Sequence, residues 1–329
     1  MAVTVRDVAR AAGVSQATAA RVLGEYGYAS DEARVRVHAS ATELGYTPNG
    51  VARALVSRAT QTIGLVVGDI ENPFFAAVAR GLSDVVERQG YTVLLTNADE
   101  DPERERRAML ALRSRRVDGM VVVPAPGAGR EAFLDGPPLV QLDRAVRGAA
   151  TDAVMVHNAA GARSAVDHLL ALGHTRIGMV TDSPQISSSA ERIAGYRRAL
   201  HAKGLLDELL ISVGGSSQAD GLVAARALLD RPDRPTAIFT ANNFMTHGAL
   251  LAARELRLRI PRDLALVGFD DLDWTTLVDP PLTVVSQPVG DLGRVAGERL
   301  LARIGGEDGP PRRVRLATRL IVRGSCGAQ

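Results

Sequence analysis

The stretch that decides the N-terminal fold is TVRDVARAAGVSQATAARVLGEYGYAS, residues 4–30. Apolar residues recur at helical spacing over 5–12, and Gly13 follows where a left-handed residue can end a helix. Ser15 can then cap a second helix over 16–23. The small alanines of both segments allow a close and steep crossing. The pattern therefore predicts a helix-turn-helix unit.

A third helix is expected to begin near Ser30, because Asp31 and Glu32 then lie at its positive N-terminal end. Helical spacing predicts that it continues to Gly45 and packs against the first two helices. The apolar residues expected along it are Val35, Val37, Ala41 and Leu44.

The outward N-terminal face of the second helix is the candidate DNA-reading surface. In a helix-turn-helix unit this helix enters the major groove, where Gln reads adenine, Arg reads guanine and Ala contacts a thymine methyl. The alternative is a small helical bundle that only packs or dimerises. The predicted major-groove contacts are Ser15, Gln16, Ala17, Ala20 and Arg21.

The distribution of charge favours DNA binding. Residues 1–60 contain seven of the 39 basic and five of the 37 acidic residues, so the whole formal excess of +2 lies there. The 329 residues suffice for two or three domains, and 46% are hydrophobic, which supports large cores. The single Cys326 excludes an internal disulfide. With no predicted leader and no apolar run of about 18 residues, we expect a cytoplasmic protein without a membrane partner.

The segment PNGVARALVS, residues 48–57, joins the N-terminal unit to the rest of the chain. It is long enough for two helical turns, but so short a helix is marginal alone in water. Gly50 weakens it further, by about 1 kcal/mol relative to Ala. The residues alone therefore predict at most a weak helix here, and a plain linker is the alternative.

From Thr62 onward the pattern changes to alternating strands and helices. Strands are predicted at 62–70, 91–99, 117–125, 138–144, 176–181, 209–213, 236–242 and 264–271. Helices are predicted at 73–90, 102–116, 158–173, 189–204, 219–230 and 245–257. Two such blocks of similar size predict two doubly wound parallel-sheet lobes that face each other across a cleft.

Residues at the carboxyl ends of these strands are the candidate ligand contacts, since open α/β sheets bind ligands at that edge. A pocket for a sugar or nucleoside combines an aromatic face with planar polar groups that bind hydroxyls in pairs. For Phe75 a place in the core is favoured, and Asp99 is expected to start the next helix. Trp274 is as consistent with lobe packing as with a pocket wall. The predicted effector contacts are Phe74, Asn97, Asp143, Ser188, Arg192, Asn242, Asp270, Trp274 and Gln287.

The sequence contains no pattern typical of catalysis or of a metal site. The six histidines lack metal-ligand spacing, and GGSS at 214–217 is neither a nucleophile elbow nor a phosphate loop. Asp270, Asp271 and Asp273 resemble a cation site, but hydroxyl binding and capping are favoured. We therefore expect no enzyme activity, no cofactor and no metal. A solute-binding protein of the same two-lobe fold without DNA function is the alternative, although it leaves the first 60 residues unexplained.

Two N-terminal stretches, TVRDVARAAGVSQATAARVL and ELGYTPNGVARAL, resemble the DNA-binding headpiece and hinge of the lactose-repressor/galactose-repressor (LacI/GalR) family of bacterial transcription regulators. Seven later stretches match the family in order: IGLVVGDIENPFF, RRVDGMVVVP, HLLALGHTRIG, ERIAGYRRAL, VGFDD, PPLTVVSQP and LIVRGS. The resemblance implies an all-α helix-turn-helix headpiece plus hinge helix, followed by an α/β core of two doubly wound parallel-sheet lobes like those of periplasmic binding proteins. The implied domains are 1–47, 48–60 and 61–329, the last with a first lobe of 61–158 and 288–316 and a second of 159–287 and 317–329.

By the same resemblance, the chain is a ligand-responsive transcription regulator, most often a repressor in this family, that binds a near-palindromic operator as a homodimer. A small sugar-like effector is expected in the cleft, where Arg192, Asn242 and Asp270 occupy usual effector positions. The resemblance leaves open which effector binds, which operator is read, and whether the effector favours or opposes DNA binding.

The resemblance also gives the segment 48–57 the role of a hinge helix in the minor groove at the operator centre. Leu55 would be an apolar wedge between the central base pairs. The hinge contacts implied are Asn49, Ala52, Arg53 and Leu55. The chain departs from the family pattern at Ala19–Ala20, where Val-Ser is usual, and at Asn243, where Asp is common.

Overall fold

The structure is a computed structural model that describes residues 3–24, 26–46, 59–133 and 136–327. The four implied hinge contacts, Asn49, Ala52, Arg53 and Leu55, lie outside the described residues. The chain divides into two compact units, Met1–Thr62 and Ile63–Gln329, and each is considered by itself.

The N-terminal unit is a bundle of three helices, α1 (Val5–Ala12), α2 (Gln16–Leu23) and α3 (Asp31–Glu43). Gly13 ends α1 in the left-handed region with φ of 63°. The Ser15 side chain accepts a hydrogen bond from the Thr18 N–H at 3.1 Å and so caps α2. The helix-turn-helix prediction and both of its turn signals are therefore confirmed.

The inner face of α3 differs from the prediction. Ala33, Val37 and Ala41 are buried, whereas Val35 is 69% exposed. Residues four apart share one face of a helix, and two positions correspond to a rotation of roughly 200°, so Val35 points away from the residues that pack. Leu44 follows the last residue of α3 and is also exposed.

The first lobe of the second unit is a six-stranded sheet with the order β11-β5-β4-β3-β1-β2. Its strands are β1 (Thr62–Val67), β2 (Thr92–Asn97), β3 (Gly119–Val122), β4 (Leu139–Leu142), β5 (Asp152–Val156) and β11 (Arg313–Leu316). Its helices are α4 (Pro73–Val86), α5 (Pro102–Ser114) and α10 (Val289–Ile304). The central strands are almost wholly buried, because parallel sheets are covered by helices on both faces.

The second lobe is a six-stranded sheet with the order β12-β10-β9-β8-β6-β7. Its strands are β6 (Ile177–Thr181), β7 (Ile211–Val213), β8 (Ala237–Thr240), β9 (Ala265–Phe269), β10 (Thr283–Ser286) and β12 (Arg319–Ile321). Its helices are α6 (Asn158–Ala171), α7 (Ser187–His201), α8 (Gln218–Leu229) and α9 (Asn243–Glu255). Only the edge strand β12 pairs antiparallel among the described pairs of this sheet.

The chain passes from one sheet to the other after β5, after β10 and after β11. Neither β5 nor α10 is among the elements predicted from βα alternation. Three glycines weaken the helical signal of α10, and the structure shows why Gly293 is needed: a Cβ there would lie 2.2 Å from the Val78 carbonyl oxygen of α4. None of the described helices is long and apolar enough to span a membrane.

Candidate functional site

The N-terminal end of α2 presents the predicted DNA-reading surface. Ser15, Gln16 and Ala17 are exposed, and Ala20 and Arg21 are half-buried. Because the Ser15 cap fixes the first turn, these side chains project from a rigid helix end that packs on α1.

Arg21 is engaged with its own unit. Its Nε donates to the Ala17 carbonyl at 3.2 Å, and its Nη1 donates to the Tyr28 carbonyl at 3.3 Å. Its Nη2 lies 3.4 Å from the Thr18 hydroxyl, to which it donates. These bonds fasten the segment after α2 to the helix and use three of the five N–H groups of the guanidinium, so two remain for base reading. Arg21 therefore has a positional role within the headpiece as well as its predicted role in base reading.

In the second unit a pocket lies where the carboxyl ends of the strands of the two lobes face each other. The space that water can enter is about 40 Å³, which is small beside the roughly 300–1,000 Å³ of most ligand sites. The lining residues are Asn72, Phe74, Phe75, Asp143, Arg144, Asp182, Ser188, Arg192, Asn242, Asn243, Asp270 and Gln287.

Direct bonds between the lobes keep this pocket narrow. The Asn243 side-chain Nδ2 donates to Asn72 Oδ1 at 2.7 Å, and the Ala145 N–H donates to the Ser187 hydroxyl at 2.9 Å. A sugar-sized ligand can enter only when the lobes part or these side chains move.

Two buried carboxylates occupy corresponding strand ends in the two lobes. Asp143 follows β4 with φ of 64°, and Asp270 follows β9 with φ of 81°. Asp270 accepts hydrogen bonds from the Asn243 N–H at 3.1 Å and from Gln287 Nε2 at 2.5 Å. Burial raises the pKa of both carboxyl groups.

The contacts of Arg192, on α7, fix the orientation of its planar guanidinium. Its Nε donates to Asn158 Oδ1 at 2.8 Å, and its Nη1 donates to the Ala241 carbonyl at 2.5 Å. Its guanidinium carbon lies 3.7 Å from the centroid of the Phe269 ring, a cation–π arrangement. The remaining N–H groups of this oriented fork are available to paired oxygens.

The side chain of Asn242 mainly makes hydrogen bonds to other residues of the protein. Its Oδ1 caps α9 by accepting the Met245 N–H at 2.9 Å, and its Nδ2 donates to Asp182 at 2.9 Å. The Ser189 hydroxyl donates to the other oxygen of the Asp182 carboxylate. Asn242 therefore anchors the pocket wall formed by α9 and the end of β6.

Three buried polar atoms of the pocket have no hydrogen-bond partner among the described residues. They are Arg144 Nε, Asn243 Oδ1 and Gln287 Oε1. Buried polar groups are normally satisfied, so one donor and two acceptors left over in one pocket indicate a ligand with hydroxyl-like groups. Within the described ranges no group of three or more His, Cys, Asp or Glu residues could hold a metal ion.

The structure brings seven of the nine predicted effector contacts into this pocket: Phe74, Asp143, Ser188, Arg192, Asn242, Asp270 and Gln287. Asn97 instead accepts the Ile70 N–H at 3.1 Å and so holds the loop after β1. Trp274 packs against His247, with 5.6 Å between ring centroids, and lies outside the lining.

Sequence reasoning missed Asn72 and Asp182, and it left Phe75, Arg144 and Asn243 out of the predicted set. Phe75 does both jobs, since it lines the pocket and also belongs to the apolar core of the first lobe. A polar residue directly after a strand is the signal that could have found Asp182. Asp99 does not start the next helix; Asp101 caps α5 instead.

A helix-turn-helix unit joined to two lobes around a polar pocket defines a ligand-responsive DNA-binding regulator. Residues 4–49 match the family described as bacterial regulatory proteins, lacI family, and residues 166–326 match the periplasmic binding protein-like domain. The ribose operon repressor of Halalkalibacterium halodurans is 36% identical over 97% of this chain and 96% of that protein. The chain belongs to the lacI family of bacterial transcription regulators.

Solved structures agree with this assignment. The crystal structure of the lac repressor dimer bound to operator and an anti-inducer matches with a TM-score of 0.89 at 27% identity, over 100% of both chains. A LacI-family regulator from Enterococcus faecium with bound ribose matches with a TM-score of 0.73 at 30% identity, over 80% of this chain and 98% of that one. The fold predicted from sequence is therefore confirmed.

Proposed function

We propose that the protein is a repressor that binds a near-palindromic operator as a homodimer and responds to a small neutral polyol, with ribose as the first candidate. The observation that carries the effector proposal is the set of unpartnered buried atoms, Arg144 Nε, Asn243 Oδ1 and Gln287 Oε1. A hydroxyl both donates and accepts, so a compact polyol can satisfy all three.

The charges of the pocket support a neutral ligand. Three carboxylates, Asp143, Asp182 and Asp270, face two guanidinium groups, Arg144 and Arg192. An anion would find no excess of positive charge here. The small free volume and the ribose-related names of similar proteins both favour a pentose.

Coupling requires two states that bind ligand and DNA differently. The bonds between Asn243 and Asn72 and between Ala145 and Ser187 are made only when the lobes are close, so a ligand held by both lobes changes their separation. In a homodimer this change would alter the placement of the two hinge segments. The proposed DNA contacts remain Ser15, Gln16, Ala17, Ala20 and Arg21 in the major groove and Asn49, Ala52, Arg53 and Leu55 in the minor groove.

A thermal-shift screen of pentoses and hexoses tests the effector proposal, because a ligand at 100 times its Kd stabilises the fold by about 2.7 kcal/mol. Asp270→Ala should abolish the response, whereas Trp274→Phe, outside the pocket, should retain it. A response that survives Asp270→Ala would place the effector elsewhere. A genomic-fragment pull-down tests operator binding, since a solute-binding protein of the same fold would respond to the sugar and capture no DNA.

A further inference from the structure

The guanidinium of Arg144 pairs with Glu100, which lies on the loop that follows β2. Arg144 Nη2 donates to Glu100 Oε1 at 2.9 Å, and Nη1 donates to Glu100 Oε2 at 2.5 Å. Nη1 also donates to the Pro124 carbonyl at 3.2 Å. The two side chains are only 10% and 13% exposed. This two-point pairing in little solvent fixes both the position and the plane of the guanidinium.

The bonds to Glu100 and Pro124 use three of the five N–H groups of Arg144, and the Nε N–H is one of the donors that remain. Its Nε is buried and has no hydrogen-bond partner among the described residues, although Asp143 Oδ2 lies 3.4 Å away. Arg144 lines the pocket and Glu100 does not. A ligand therefore meets the oriented Nε N–H of a guanidinium whose positive charge is paired with the Glu100 carboxylate.

The local backbone conformation places the Glu100 side chain beside Arg144. Asp99 and Glu100 are consecutive non-glycine residues in the left-handed region, with φ of 51° and 55°. The Glu100 N–H donates to the Gly68 carbonyl at 2.9 Å. A Cβ at Gly68 would lie 2.2 Å from Glu100 Oε1, so the carboxylate occupies the space that a side chain at position 68 would need.

The pairing with Glu100 also sets the charge balance at Arg144. Burial by itself would lower the pKa of Arg144, but the Glu100 carboxylate reverses this and the net shift is upward. Arg192, the other cation of the pocket, is oriented by Asn158 and Ala241 and faces the carboxylate of Asp270 electrostatically. Removing the charge of Glu100 would leave Asp143 as the nearest carboxylate to Arg144 and would make the pocket wall less negative by one charge.

We propose that Glu100 is a positioning residue that determines specificity: it orients Arg144 Nε toward an effector hydroxyl and cancels the charge of Arg144, so the pocket takes neutral polyols and rejects their acidic analogues. This inference rests on the proposed function, in which a small polyol binds between the lobes.

The test compares wild type with Glu100→Gln, which keeps the side-chain length and one acceptor oxygen but removes the charge. Isothermal titration calorimetry measures Kd for D-ribose and for D-ribonate, or for the aldose selected by the thermal screen and its aldonate. The variant should shift the affinity ratio toward the acid by about tenfold or more, as expected for loss of a charge-assisted pair. Glu103→Gln, an exposed carboxylate on α5, should leave the ratio within about twofold.

An unchanged ratio in a folded Glu100→Gln protein overturns the inference and leaves the proposed function standing. Loss of ribose binding without a relative gain for ribonate also overturns it, because that result describes a purely structural role. If Glu100→Gln does not fold, Glu100→Asn, which also removes the charge and suits the left-handed backbone at this position, must still move the ratio toward the acid. A wild-type protein that binds no polyol at all overturns the proposed function and this inference with it.

Discussion

Glu105 on α5 is a buried carboxylate whose ionisation should weaken the fold as the pH rises. It is 1% exposed, and its Oε2 accepts the Ala125 N–H at 2.5 Å. Burial raises the pKa of Glu105 from 4.5 to about 7, and the negative charge of Glu100 adds to the rise. The Ala125 N–H and the positive charge of Arg144 act in the opposite direction and only partly offset it.

The sign and size of the effect follow from linkage. Because the folded protein holds the Glu105 proton more tightly than the unfolded chain does, this stabilisation is complete below about pH 4.5 and is lost as the pH rises toward 7. Between about pH 5 and pH 8 the difference in pKa corresponds to about 2 to 3 kcal/mol of unfolding free energy. Glu105→Gln keeps an acceptor for the Ala125 N–H and cannot ionise, so it should not show this loss.

Urea denaturation followed by far-UV circular dichroism at several pH values measures the effect. The unfolding free energy of wild type relative to Glu105→Gln should fall by about 2 to 3 kcal/mol between about pH 5 and pH 8. Glu103→Gln, which lies on the same helix but is exposed, should follow wild type. Parallel curves for wild type and Glu105→Gln would refute the reasoning, because the carboxylate would then ionise at the same pH in both states.

Three further predictions test other parts of the structure. Arg21→Ala should lower specific operator affinity much more than non-specific affinity in a gel-shift titration; equal losses would leave only its positional role. Asn72→Ser keeps a capping oxygen for α4 but is too short to reach Asn243. It should weaken effector binding about fivefold by calorimetry, because one neutral hydrogen bond is lost. Asn72→Asp should still cap α4. Gly293→Ala should destabilise the fold by about 1 to 3 kcal/mol in urea melts, because of its close approach to α4, whereas Gly290→Ala, with open space around its Cβ, should not.

The parts of the fold that sequence predicts are those with local signals. Gly13 and Ser15 mark the turn between α1 and α2 because the conformation of one residue decides each. The buried strands are visible because both faces must be apolar. Val35 illustrates what the sequence does not predict. Its apolar character is clear, but the direction of its side chain depends on how α3 is rotated against the other helices. No property of Val35 itself distinguishes it from Val37.

For the pocket, the sequence predicts only where along each strand the lining residues lie. The rule that ligands bind at the carboxyl ends of strands finds Asp143 and Asp270. It does not find Asn72, whose sequence context is that of any asparagine capping a helix before proline, and whose bond to Asn243 depends on how the two lobes meet. Trp274 attracts attention as the only tryptophan, yet it packs within the second lobe.

Asp143 and Asp270 give a physical basis for the proposed link between ligand binding and lobe position. Each follows a central strand, donates its N–H to the adjacent strand, to Val154 at 2.8 Å and Val285 at 2.9 Å, and turns into the left-handed region. For non-glycine residues this conformation costs about 1 to 3 kcal/mol each, so the surrounding sheets must hold both carboxylates toward the cleft. Burial raises the pKa of Asp143 most; the charges of Arg144 and Arg192 lower it, and the charge of Asp270 on the opposite lobe raises it. Asp143 on the first lobe is therefore attracted by Arg192 of the second lobe and repelled by Asp270, so the charges that face each other across the cleft act in both directions. The proposed polyol, bound among these charged groups, would change both interactions, so its binding would alter the force between the lobes without a separate switch.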